Sequence, residues 1–179
     1  KNGVRQSGIL SNYNTFAEFA KKHNTSKAFI LQSSVGNEFD STLSEGDMRL
    51  QANMALAFGG DTLRYYLYSV PIDESRPNNA MYDYCILKPD NTPSDVYYHL
   101  QKVNNEIQSY ADVILSYDWD KTTAVAGMVM GVNVSDIYEF QDKDFSDSKY
   151  YVSANCTTDL VVSRFKGDKG EAYMFVNFA

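Results

Sequence analysis

Two short and mostly apolar segments of the chain end in side chains that can hydrogen-bond to a ligand or stack against it. The first segment covers residues 27–35 and the second covers residues 62–70. The polar and aromatic side chains near their carboxyl ends are Gln32, Ser33, Ser34, Tyr66, Tyr68 and Ser69. In open and closed α/β sheets, ligands bind at the carboxyl ends of parallel strands. Amide, hydroxyl and aromatic groups together suit a polyhydroxylated ligand, since tyrosine offers a flat apolar face with a hydroxyl at its rim.

A carboxylate follows the first of these segments. Glu38 lies in the predicted loop after residues 27–35, from which its side chain could reach the same strand end. A purely structural interpretation is also open, in which Tyr66 and Tyr68 pack under the following loop and Glu38 is solvated. The residues taken alone favour this structural interpretation.

Sequence motifs for other kinds of chemistry are absent. The chain has no glycine-rich phosphate loop and no His-Glu-x-x-His motif, and residues 32–36 lack the first glycine of a nucleophile elbow. His23 and His99 have no cysteine or acid at ligand spacing. The aspartates of the acidic segment 135–149 lack the glycine and the closing glutamate of a calcium loop. We therefore predict no metal site and no cofactor.

Composition argues against several classes of protein. The 179 residues carry a formal net charge of −7, whereas a nucleic-acid binder needs Lys and Arg to displace the counterions of the phosphates. No window approaches the roughly 20 continuous apolar residues that span a bilayer. Two cysteines are too few for a disulfide scaffold. We predict that neither nucleic acid nor membrane is a partner.

Both ends of the sequence resemble cut points within a longer chain. The sequence begins at Lys1 without an initiator methionine or a signal-peptide pattern, and it ends within a predicted strand. We therefore expect it to be a piece of a longer protein. The compartment stays open between cytoplasmic and secreted, and the sequence does not decide the oligomeric state.

Helical and strand patterns alternate in the first part of the chain. Apolar residues at helical spacing predict helices over 13–23, 44–56 and 92–110, and short apolar runs predict strands over 27–35 and 62–70. The second helix has a capping box at its start and a pair of glycines at its end. This alternation predicts βαβ units and a parallel sheet.

The pattern changes in the second part of the chain. Segments of β-like sequence, separated by polar turns, follow at 113–115, 124–134, 160–165 and 172–178. The glycine-containing turn between the last two of these segments predicts a hairpin. We therefore expect two domains, an α/β domain over residues 1–112 and a partial, β-sandwich-like antiparallel domain over residues 113–179.

Three segments of the first part resemble one family of enzymes. These segments are residues 29–34 (FILQSS), 49–59 (RLQANMALAFG) and 63–68 (LRYYLY). They are similar to the end of the (β/α)8 barrel of β-galactosidases of glycoside hydrolase family 42 and of related bacterial proteins. Residues 84–90 and 95–104 resemble the stretch that follows in those relatives, and residues 160–165 and 173–177 resemble their appended β domain.

The resemblance implies a fold and a site. Residues 27–35 and 62–70 become the seventh and eighth strands of a partial (β/α)8 TIM barrel, of which residues 1–112 are the carboxyl-terminal portion. In retaining members the seventh strand ends in a glutamate nucleophile, and Gln32 stands at that position here. An amide cannot readily form and release the glycosyl-enzyme that this mechanism requires. Tyr68 matches an aromatic position that lines the sugar site.

Two functional hypotheses follow from the resemblance, both with carbohydrate as the ligand. In the first, the chain is a fragment of a glycoside hydrolase acting on β-galactosides or related sugars, with Glu38 as the candidate replacement acid. In the second, it belongs to a catalytically silent barrel that recognises carbohydrate through Gln32, Tyr66 and Tyr68. Ser33 and Ser34 are further candidate contacts to the sugar. A structural alternative for Gln32 is an amide hydrogen-bonded within the strand end.

Overall fold

The computed structural model describes residues 7–36, 42–69, 82–129, 132–133, 145, 147–150 and 156–178. Within these residues the helices are α1 (Ser7–His23), α2 (Glu45–Ala57) and α3 (Asp95–Ile114). The strands are β1 (Ala28–Gln32), β2 (Val35–Gly36), β3 (Thr62–Tyr66), β4 (Tyr82–Tyr84), β5 (Asp118–Val125), β6 (Met128–Val129), β7 (Val132–Asn133), β8 (Leu160–Gly167) and β9 (Gly170–Asn177). They form a parallel pair β1–β3, an antiparallel sheet in the order β5–β8–β9, and two short pairs, β2–β4 and β6–β7.

The chain folds into two compact units. One, which we call the parallel unit, combines Ala28–Asn53 with Thr62–Ile114. The other, which we call the antiparallel unit, combines Lys1–Lys27, Met54–Asp61 and Leu115–Ala179. Each unit is therefore assembled from segments that are distant in the sequence, and α2 contributes residues to both.

The parallel unit is built on β1 and β3. These strands pair in parallel with Ala28 opposite Thr62 and Gln32 opposite Tyr66, and α2 lies between them in the chain. The parallel pairing expected from the alternation of helix and strand patterns is confirmed for these two strands. Residues of the predicted apolar stripe of α3 are buried, namely Val96, Leu100 and Val103.

The prediction of a partial TIM barrel followed by a β-sandwich-like domain is wrong. Within the described residues the parallel sheet consists of β1 and β3, with one isolated parallel bridge between Ser69 and Leu87 outside it. Ile30 and Tyr66 on the β1–β3 pair remain 69% and 51% exposed. Barrel strands bury both faces of the sheet. The described residues instead form a small α/β fold with three helices, a two-stranded parallel sheet and a three-stranded antiparallel sheet. Local patterns indicate the order of the elements, but they do not indicate how many strands join one sheet.

The start and the end of α2 follow from local sequence chemistry. At its start, the Asp47 N–H donates to Ser44 Oγ at 3.2 Å and the Ser44 N–H donates to Asp47 Oδ2 at 2.9 Å. At its end, Gly59 adopts a φ of +75°, and the Gly60 N–H donates to the Ala55 carbonyl at 2.9 Å. A left-handed residue after a helix suits glycine, which has no Cβ to clash. The predicted capping box and glycine stop are confirmed.

The antiparallel unit has β8 at the middle of its sheet. β5 pairs with β8 from Asp118 opposite Lys166 to Val125 opposite Leu160. β8 and β9 form a hairpin whose turn closes with Gly167 opposite Gly170. The hairpin predicted from the glycine-containing turn is therefore confirmed.

One predicted strand is wrong. Residues 113–115 do not form a strand, because α3 continues to Ile114, and the side chains of Val113 and Leu115 are exposed. A run of three apolar residues fits either a short strand or the last turn of a helix, so periodicity cannot separate the two.

A buried arginine binds two carboxylates in the antiparallel unit. The side chain of Arg164 on β8 is 1% exposed. Its Nε donates to Asp120 Oδ2 at 2.8 Å, and its two terminal nitrogens donate to the two carboxylate oxygens of Asp147 at 2.9 Å each. The hydrogen bonds from Arg164 hold the pKa of Asp147 well below its usual range. Burial alone would raise the pKa of Asp120, but hydrogen bonds from Arg164 and Lys21 outweigh burial and lower it.

Candidate functional site

Gln32 and Tyr66, two of the predicted site residues, are register partners at the ends of β1 and β3, and both are exposed. The Gln32 side-chain amide donates to the Ser34 carbonyl at 2.9 Å. The Gln32 backbone is held from α2, because its N–H donates to Gln51 Oε1 at 2.8 Å and its carbonyl accepts from Gln51 Nε2 at 3.3 Å. Gln51 thus supplies the hydrogen bonds that a neighbouring strand would make at this edge of β1. The roles of Gln32 and Tyr66 in binding stay predictions.

Ser33 and Ser34, also predicted to contact the ligand, are buried. Their hydroxyls donate to the carbonyls of Leu67 at 3.2 Å and of Tyr66 at 3.3 Å. The peptide bond between Tyr66 and Leu67 is cis. Both serines therefore hold the chain that leaves β3, and their contact with a ligand stays a prediction. Glu38, the candidate acid, lies outside the described residues.

Tyr68 lines an open groove of about 450 Å³ in the parallel unit. This volume lies in the range of small-molecule sites. The lining residues are aromatic, amide-bearing or aliphatic, and they are Tyr65, Tyr68, Ile86, Tyr97, Leu100, Gln101, Asn104 and Asn105. Tyr66 is not among them, so the two tyrosines that were predicted to belong to one site do not line the same groove.

Two elements and the segment after β3 position these side chains. Tyr65 belongs to β3, and Tyr68 follows this strand, where its carbonyl accepts from the Leu87 N–H at 2.8 Å. Tyr97, Gln101, Asn104 and Asn105 belong to α3. Their spacing of four, three and one residues places them along one side of the helix. The side chains of Ile86 and Leu100 are buried and form an apolar floor.

One hydrogen bond inside the groove fixes two of its side chains. Tyr65 Oη donates to Asn104 Oδ1 at 2.6 Å. Burial raises the pKa of Tyr65 above its usual value. The phenol is therefore protonated at neutral pH with a wide margin and can donate. Tyr68, in contrast, is 59% exposed.

The tyrosine and the amides that line the groove from α3 were not recognised in the sequence as candidate binding residues. The helical pattern directs attention to the apolar stripe with Val96, Leu100 and Val103, which is buried. The signal that could have revealed the groove is the adjacent stripe of Tyr97, Gln101 and Asn104. This stripe places an aromatic ring and two amides at helical spacing, without a charged residue among them.

Metal and membrane features are not found in the described part of the chain. Within those ranges no three His, Cys, Asp or Glu side chains lie close enough together to hold a metal ion. No helix of the described residues combines the length and the apolar character needed to cross a bilayer.

Comparison with known proteins assigns no family. No protein-family model matches the chain, and no curated protein matches it in sequence. The arrangement of side chains therefore carries the functional argument. An uncharged groove with three tyrosines and three amides can stack against an apolar ring face and exchange hydrogen bonds with hydroxyl groups.

Proposed function

We propose that the chain binds neutral carbohydrate in the groove lined by Tyr68. The observation that carries this proposal is the composition of the groove, in which tyrosine rings stand beside the side-chain amides of α3. A sugar ring has one apolar face that can stack on a tyrosine and a rim of hydroxyls that amides can bind. A charged sugar is disfavoured, because none of the lining residues carries a charge that could pair with it.

The similarity to β-galactosidases noted in the sequence makes β-galactosides the first ligands to test. Hydrolysis of these sugars stays a separate hypothesis, because retaining and inverting hydrolases both need a pair of carboxylic acids beside the bond. No acidic residue is among those that line the groove in the described residues. We therefore expect the chain to bind a β-galactoside without hydrolysing it.

The test is affinity electrophoresis of the 179-residue chain through gels that contain a soluble neutral β-galactan. We expect the galactan to retard the chain, and Tyr68→Ala to weaken the affinity about tenfold, since stacking against an aromatic ring contributes on the order of 1–1.5 kcal/mol. An assay with an aryl β-galactoside, run in parallel, is expected to show no release of the aryl group.

Two matched tyrosines serve as controls. Tyr66 is exposed on the β1–β3 pair outside the groove, and Tyr150 is exposed in the antiparallel unit. We expect Tyr66→Ala and Tyr150→Ala to migrate like the unmodified chain. If Tyr66→Ala abolished retardation while Tyr68→Ala did not, the strand ends would be the binding site and the groove would not. An unmodified chain that migrated equally with and without galactan would refute carbohydrate binding.

A further inference from the structure

The side-chain amide of Asn104 is held in one orientation within the groove. Its Oδ1 accepts from the Tyr65 hydroxyl at 2.6 Å. This distance is typical of an O–H···O bond and is shorter than most N–H···O bonds, so it favours the amide oxygen as the atom facing Tyr65. The Nδ2 group of Asn104 is therefore the part of this amide that remains to contact a ligand.

The neighbouring amides differ from Asn104 in this respect. Gln101 and Asn105 also line the groove, and their side chains are exposed. An exposed amide can turn either its oxygen or its nitrogen toward a ligand. Within the described residues, Asn104 alone among the three is held by a tyrosine hydroxyl. Its Nδ2 group is therefore a donor of fixed orientation, whereas the amides of Gln101 and Asn105 can present either a donor or an acceptor.

We infer that the Tyr65–Asn104 pair makes the groove select ligands that place a hydrogen-bond acceptor at Asn104, and reject ligands that place an ammonium group there. This inference rests on the proposed carbohydrate-binding function and names the class of sugar more narrowly. A hydroxyl or ether oxygen of a neutral sugar accepts from Nδ2. The protonated amine of an amino sugar has no lone pair to accept this hydrogen bond. Neither the Nδ2 group of Asn104 nor the ammonium group then has a partner there.

Tyr65 is a positioning residue in this scheme. Its hydroxyl binds the amide oxygen of Asn104 and keeps that oxygen away from the ligand. Tyr65→Phe retains the ring and removes the hydroxyl, which frees the amide to turn its oxygen toward an ammonium group. Asn104→Asp has a similar shape, since one carboxylate oxygen still accepts from Tyr65 while the other faces the ligand.

The test uses isothermal titration calorimetry at pH 5.5 with oligosaccharides of identical linkage. One is a neutral β-galacto-oligosaccharide, and in the others an amine replaces the hydroxyl at position 2, 3 or 6 of each ring, so that the amine is tried at each of these positions. We expect the unmodified chain to prefer the neutral sugar. Asn104→Asp should shift the affinity ratio about tenfold toward at least one of the amino sugars, because hydrogen bonds to a charged group contribute on the order of 1.5 kcal/mol or more. Tyr65→Phe should shift the ratio in the same direction by about threefold.

Asn105→Asp is the matched control, because it adds the same charge to the same groove at a position other than that of Asn104. An equal shift in Asn105→Asp and Asn104→Asp would mean that charge alone acts, and would overturn the inference. In Asn104→Asp the additional change Tyr65→Phe should have no further effect on the ratio, and independent effects would also overturn it. Circular dichroism checks that each variant is folded.

The inference and the proposed function fail in different ways. An unmodified chain that binds none of these sugars refutes carbohydrate binding and the inference together. An unmodified chain that binds the neutral sugar, with ratios unchanged in Asn104→Asp and Tyr65→Phe, leaves carbohydrate binding intact and refutes the selection by Asn104 alone.

Discussion

Polar side chains are used in opposite ways in two regions of the molecule, around Arg164 in the antiparallel unit and in the groove of the parallel unit. In the antiparallel unit, Arg164 is buried and its nitrogens are bound by the carboxylates of Asp120 and Asp147. In the groove of the parallel unit, the amides of Gln101 and Asn105 are exposed. A buried polar group that is hydrogen-bonded within the chain stabilises the fold, because removing its partner leaves it buried without a hydrogen bond. A polar group that stays accessible can instead bind a ligand.

The largest expected effect comes from Arg164→Met, which removes the cation from the buried cluster. Deleting one partner of a buried ion pair costs about 3–5 kcal/mol, because the other charge loses its compensation. In this variant Lys21 still pairs with Asp120 at 3.1 Å. Asp147 is 54% exposed and still pairs with Lys121 at 3.2 Å. We therefore expect the free energy of unfolding to fall by about 2 kcal/mol, below that range. Urea unfolding followed by Trp119 fluorescence measures this change within the antiparallel unit, since Trp119 is the single tryptophan of the chain and is buried.

Lys166→Ala is the control for that experiment. Lys166 lies 3.6 Å from both Asp120 and Asp147, but its side chain is half-exposed. Surface ion pairs contribute about 0–1 kcal/mol, so its removal should change the unfolding free energy by less than that. Equal losses in Arg164→Met and Lys166→Ala would contradict a special role for the buried guanidinium.

A smaller effect is expected from acid. The lowered pKa values of Asp120 and Asp147 in the folded chain lie below the value of about 3.9 for an unfolded aspartate. Stability from these carboxylates is therefore fully present above about pH 4 and is lost as the pH falls through the folded values. We expect the urea midpoint reported by Trp119 to stay level above about pH 4 and to fall as the pH decreases below about 4. The fall should be shallower in Arg164→Met, and an identical pH profile in both proteins would count against the cluster as its source.

Fold features that the sequence could predict are those specified within a few neighbouring residues. The capping box at Ser44 and Asp47 and the turn between Gly167 and Gly170 are of this kind, and both are present. The number of strands in the parallel sheet depends on contacts between distant segments. Gln51, for example, occupies the edge of β1 with a side-chain amide, and no local pattern indicates that a helix would supply these bonds.

The candidate site was predicted in part. Tyr68 was predicted from its position near the carboxyl end of the segment 62–70, whereas β3 ends at Tyr66. Tyr68 does line a groove, although its contact with sugar stays a prediction. Asn104 and Tyr65 are 39 residues apart and meet through one hydrogen bond. Such a pair depends on how α3 lies against β3, which helical periodicity alone does not specify.

The smallest effect on stability is expected in the groove, from Gln101→Ala. Gln101 is exposed on α3, and alanine is a strong helix former, so the unfolding free energy should change by less than about 0.5 kcal/mol. The affinity for neutral β-galactan should nevertheless fall about fivefold, because a hydrogen bond to the ligand contributes on the order of 1 kcal/mol. Calorimetry of binding, together with thermal unfolding, measures both quantities on the same protein.

Gln108→Ala makes this last comparison specific to the groove. Gln108 is exposed on the same helix and does not line the groove, so its removal should change neither stability nor affinity. If Gln101→Ala lost stability without losing affinity, Gln101 would stabilise the fold, as Arg164 does, and would not bind the ligand. A loss of affinity without a loss of stability would separate it from them, because an amide that the fold does not use can contribute free energy only through the ligand it binds.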